Sequence, residues 1–209
     1  MHALYNPEAG SHPLPDDRRV IDAVLAATRR CYEAHPYFRE RYGARGEAFA
    51  NSDGGYLAVL TGDPQSHVDE QVVWLAGVLA ARGMPRWLME AHLDLLCDEL
   101  CLAVPEESAR FHKLLNAARL LRSARQSRIS QHDFEALAAA FESSSGAGIG
   151  NAGGLLVAAA CDEGCGLDQA VSSLIGWLGD PGRFSAQWCS AVAATLAHAR
   201  SLAAQGPGS

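Results

Sequence analysis

The chain has 209 residues, 48% of them hydrophobic and only 7% aromatic, with a formal net charge of −7. A chain this long buries a core without disulfide or metal staples, and its acidic balance argues against nucleic acid, whose binding rests on neutralising phosphates. No segment has the uninterrupted apolar length of a membrane-spanning helix, and residues 1–17 lack the apolar core of a signal peptide, so a soluble cytoplasmic protein is expected. In that setting six cysteines read as reduced, buried or metal-binding thiols rather than as a disulfide framework.

Ala and Leu are abundant, β-branched runs are few, and no alternating strand of five or more residues occurs. This predicts an all-α protein, a multi-helix bundle of eight or nine helices. Residues 1–15 read as a flexible N-terminal arm. Asp16 or Asp17 can cap a helix striped by Val20, Ile21, Val24, Leu25, Thr28, Cys31 and Tyr32. It stops at His35, because a residue before proline avoids the helical region. A short helix from Tyr37 to Tyr42, closed by Gly43, is followed by a loop around Gly46 to Phe49. A further helix then starts at Ser52 or Asp53 and carries Tyr56, Leu57 and Leu60.

The turn Thr61-Gly62-Asp63-Pro64 leads into the stretch around which the bundle is built, an antiparallel helical hairpin at about 66–104. Ser66 can cap its first arm, on which Val68, Val72, Leu75, Val78 and Leu79 recur at helical spacing. Gly83 supplies a left-handed stop and Pro85 the start of the second arm, striped by Met89, Leu93, Leu96 and Leu100. After Pro105 a helix runs to about Ser127. Ser130 and Asp133 stand at capping-box spacing before Phe134, Leu137 and Phe141. The five glycines of 145–154, preceded by a serine run, read as a linker between a main bundle at 16–144 and a C-terminal three-helix segment at 155–204, with a tail at 205–209. The three helices are expected at about 154–163, 168–178 and 185–204.

Four groups of residues offer chemistry. Gly148-Ile149-Gly150-Asn151-Ala152-Gly153 spells GxGxxG, but a dinucleotide fingerprint needs a buried strand before it and an acidic residue closing a second strand after it. Here a helix precedes it, so no nucleotide is expected. Cys97-Asp98-Glu99-Leu100-Cys101 and Cys161-Asp162-Glu163-Gly164-Cys165 repeat the pattern CDExC. Thiols four apart on a helix are neighbours, so Cys97, Cys101, Cys161 and Cys165 together would make a four-thiolate site for zinc or copper(I). His92 and His112 flank long apolar stripes and are candidate haem ligands.

Finally, residues 105–129 carry six basic side chains against two acidic ones. Arg119, Arg122, Arg125 and Arg128 would offer a partner-binding strip on an otherwise acidic molecule. No serine stands in a nucleophile elbow, and no P-loop, kinase or zinc-protease signature occurs. The expectation is therefore a non-catalytic helical binding module, an adaptor, accessory or sensory protein that binds a partner protein or small ligand. The alternative is a helical protein that binds zinc, copper or haem.

Overall fold

The computed structural model describes residues 4–206, and among these it holds nine α-helices and no strand. They are α1 (Arg18–Ala34), α2 (Tyr37–Leu60), α3 (Gln65–Ala80), α4 (Arg86–Ala103), α5 (Ser108–Gln126), α6 (Gln131–Ser144), α7 (Ala152–Gly164), α8 (Gln169–Leu178) and α9 (Ala186–Gln205). The all-α expectation therefore holds, and no helix among the described residues is long and apolar enough to cross a membrane.

Local chemistry accounts for most boundaries. The Asp17 carboxylate accepts from the Arg19 N–H and caps α1, and His35 closes that helix by donating its N–H to the Cys31 carbonyl. Gly83 sits at φ 87° between α3 and α4, the left-handed conformation that glycine adopts without steric cost. Ser130 caps α6 through the Asp133 N–H, and its hydroxyl donates back to the Asp133 carboxylate at 2.6 Å.

Three local expectations are corrected. The loop around Gly46 to Phe49 is helical: α2 breaks only at Gly43 (φ 56°, ψ −154°) and resumes at once. Ala44, Arg45, Glu47 and Ala48 are good helix formers, and Arg45 both pairs with Glu8 and lies over the Phe49 ring. Ser66 is no cap, because α3 already starts at Gln65 and the Pro64 carbonyl receives the N–H groups of His67 and Val68. The described part of the N-terminal arm is seated on α2. Leu4 is buried against Gly55, and His12 bonds the Ser52 hydroxyl and stands edge-on to Tyr56. The tail beyond residue 206 lies outside the described residues.

The chain forms two compact units, and none of the three boundaries between them falls in the Gly/Ser segment. One unit comprises the residues up to Val73 together with Glu90–Leu120. In it α1 packs along α2, with Val24 against Gly54 and Tyr32 stacked on Phe38. The other comprises Trp74–Met89 and the residues from Leu121 onward. In it α7 is the central helix, buried from Ala152 to Asp162 and packed by α6, α8 and α9.

Segment 145–154 thus joins two helices that pack on each other within one unit, and its Gly148, Gly153 and Gly154 are close-approach positions. A Cβ at Gly153 would fall 2.8 Å from the Ala138 Cα, and one at Gly148 would overlap the Trp188 ring. The expected linker is a packed corner.

Candidate metal centre

Cys97 and Cys101 stand one turn apart on α4, whose rotation is set by the fully buried Leu93, Leu96 and Leu100. That rotation turns Cys97 inward, 2% exposed, and leaves Cys101 half-buried beside it, with the two Sγ atoms 3.8 Å apart. The chain then folds over through buried Val104 and a 3-10 turn at Pro105–Glu107 into α5. Phe111, Leu114 and Ala118 are buried on α5, which places the adjacent His112 at the exposed edge of the helix.

The result is a cluster from two helices. One donor atom from each of Cys97, Cys101 and His112 lies within 4.8 Å of the others. Burial, reinforced by Cys101, pushes the Cys97 thiol up to about 12. Asp94 and Asp98 on the same helix add negative field at Cys97.

This cluster draws one residue from each of two separate expectations. The cysteines came from the repeated pattern and the histidine from the haem candidates. The signal that finds it is the spacing C-x3-C-x10-H, of which the C-x3-C gap falls in the range that zinc sites use.

Cys161 and Cys165 belong to the other unit and are not members of the cluster. Cys161 is fully buried among Ile129, Leu137, Val157, Ala199 and Ala203, where burial pushes its thiol up to about 12. It fills space as an apolar side chain does. Cys165, half-buried at the end of α7, donates to the Ala124 carbonyl at 3.7 Å. The acidic residues of the two repeats also differ in use. Glu99 pairs with Arg30, Asp98 is exposed, Asp162 holds Arg86, and Glu163 pairs with Arg200.

His92 does not suit haem. Its Nε2 is buried without a hydrogen-bond partner among the described residues and faces α2, where a Cβ on Gly54 would lie 3.6 Å away. Burial pulls the His92 imidazole down to about 4, so the folded state holds it neutral. The stability this contributes is complete above the unfolded value near 6.5 and is lost as pH falls toward 4, by at most about 3 kcal/mol. Urea midpoints measured from pH 7.5 to 4.5 are expected to fall more steeply for the wild type than for His92→Gln. Parallel curves would show that His92 does not titrate as described.

The arginine strip loses a member. Arg125 is only 4% exposed, lies over the Phe134 ring at 4.5 Å, and donates to the Gln131 side chain. It supports the core and is not offered to a partner. Arg119 is exposed and donates to Asn116, while Arg122 and Arg128 are half-buried. Of the GxGxxG glycines, Gly153 donates its N–H to the Glu142 carboxylate and Gly148 lies under Trp188.

Fold and cluster together define a class, an all-α protein carrying a three-donor thiol–imidazole group on two consecutive helices. Compared with protein-family models, with curated proteins and with solved structures, the chain matches none of them.

Proposed function

We propose that this protein binds one zinc ion through Cys97, Cys101 and His112 and serves as a helical metal-carrying or metal-sensing accessory protein. The observation that carries the reading is the convergence of three donor atoms of the right chemistry from α4 and α5. The sulfur separation of 3.8 Å is also the chord of two zinc–sulfur bonds of about 2.3 Å at the tetrahedral angle. Charge favours zinc over copper(I). Two thiolates balance a dication, whereas a monovalent ion would leave net negative charge beside Asp94 and Asp98. A reducing cytoplasmic setting, where thiols stay free, fits such a site.

A partner-binding role for the α5 arginines has less support once Arg125 is placed in the core. Reversal of Arg125 to Glu would act on folding before it acted on any partner.

The test is a zinc competition titration with a chromophoric chelator on the reduced protein, alongside elemental analysis of native preparations. One zinc per chain is expected. Cys97→Ser with Cys101→Ser, and separately His112→Gln, should each weaken binding by more than about 100-fold, since loss of an outer-shell partner alone costs up to that factor. Far-UV circular dichroism should stay unchanged. A wild type that leaves all zinc on the chelator, or variants that bind as the wild type does, would overturn the reading.

A further inference from the structure

Resting on the zinc reading above, we propose that the bound ion keeps a fourth position open toward solvent, and that this position accepts a neutral nitrogen donor of the imidazole class. The ion would then be held for transfer and not for building the fold.

Three observations converge on this. The first is the donor count with its burial gradient. Among the described residues only Cys97, Cys101 and His112 form the mutually close group, and they run from buried through half-buried to exposed. The ion's free side therefore points out past His112. Zinc sites with three protein ligands keep the fourth position for water or an incoming ligand, whereas structural sites close all four.

The second is that neither helix needs the ion. On α4, Leu93, Leu96 and Leu100 are fully buried, and on α5, Phe111 and Leu114 are. That apolar burial holds both donor helices whether or not metal is present, unlike small domains whose folding is metal binding. An ion that contributes little to the fold leaves at little structural cost.

The third is charge. Two thiolates already neutralise the dication, and Asp94 and Asp98 stand three residues before Cys97 and Cys101, on neighbouring positions of the same helix. The one lysine beside the site, Lys113, is turned away, its Nζ donating to the carbonyls of Thr61 and Asp63. Arg30 and Arg110 are already paired with Glu99 and Glu107, so an anionic fourth ligand meets repulsion there. A neutral imidazole meets none, and its nitrogen suits zinc.

The experiment uses the full-length protein loaded with cobalt(II), whose visible d–d bands report the ligands of a four-coordinate ion. Imidazole is expected to shift these bands saturably, whereas azide at equal concentration leaves them in place. In the double variant Asp94→Ala with Asp98→Ala, azide should gain affinity by about tenfold. A wild-type spectrum indifferent to imidazole would overturn the open position. Were Asp94→Ala alone to create the response, Asp94 would be the fourth ligand and the proposal would again fall. Azide binding as readily as imidazole would overturn the charge argument. Failure to take up cobalt or zinc at all is a separate result, which removes the zinc reading itself.

Discussion

Asp162→Ala is expected to cost about 3–5 kcal/mol of folding free energy, the range for removing one partner of a buried ion pair. The Asp162 side chain is 2% exposed and that of Arg86 12%. One carboxylate oxygen accepts from Arg86 Nε at 2.6 Å and the other from the Arg86 backbone N–H at 2.9 Å. Because Arg86 is the first residue of α4, this carboxylate of α7 caps α4 from outside it, meeting an orphan N–H and the positive end of the helix dipole. Removing it leaves a guanidinium in the interior and a helix start without its acceptor. The double variant Arg86→Met with Asp162→Leu should recover much of the loss, since an apolar pair of similar size restores packing. Urea unfolding of the three proteins checks this. A loss below about 1 kcal/mol for Asp162→Ala would mean that solvent replaces the pair.

Trp188→Ala is expected to cost a similar amount, about 3–5 kcal/mol, as a large-to-small change at a site only 1% exposed. The indole stacks on Phe184 at 4.9 Å, meets Phe141 edge-on at 4.9 Å, and donates Nε1–H to the Leu178 carbonyl at 2.8 Å. Gly148 lies against its ring where a Cβ would not fit. Trp188→Phe keeps an aromatic in the stack but leaves the Leu178 carbonyl unpaired, a smaller loss on the order of 1–3 kcal/mol. Near-UV circular dichroism and urea midpoints should rank the wild type, Phe and Ala proteins in that order. Equal stability of the Phe and Ala proteins would contradict the packing described.

Most of the helical layout was legible because its signals are local. Asp17, Gly83 and Ser130 mark ends through their own side chain or lack of one, and the stripe from Leu93 to Leu100 sets its face by spacing alone. The segment around Gly46 misled because a glycine weakens a helix yet does not forbid it, and the surrounding Ala, Arg and Glu carried α2 through. Segment 145–154 misled for the opposite reason. Its glycines look like slack in the sequence, but at Gly148 the Trp188 ring and at Gly153 the Ala138 backbone come too close for a side chain.

The site was half legible. Two cysteines four apart must be neighbours on a helix, so Cys97 and Cys101 were readable as a pair. Their third companion depends on how α5 turns after Val104, which Phe111 and Leu114 decide by burying themselves. The repeated CDExC pattern invited symmetry that the environments deny, since Asp98 is exposed while Asp162 is buried on Arg86. Arg125 falls on the stripe that Leu114, Ala118 and Leu121 begin at helical spacing, but a cation there reads as the helix running off its core until the Phe134 ring of α6 is seen beneath it.

X-ray absorption at the zinc edge, recorded on the full-length zinc-loaded protein, probes the assignment of the ion's ligands without any substitution. The expected first shell has two sulfurs at about 2.3 Å and an imidazole nitrogen at about 2.0–2.1 Å. A shell of nitrogen and oxygen alone would contradict the assignment of Cys97, Cys101 and His112, and so would a shell of four sulfurs.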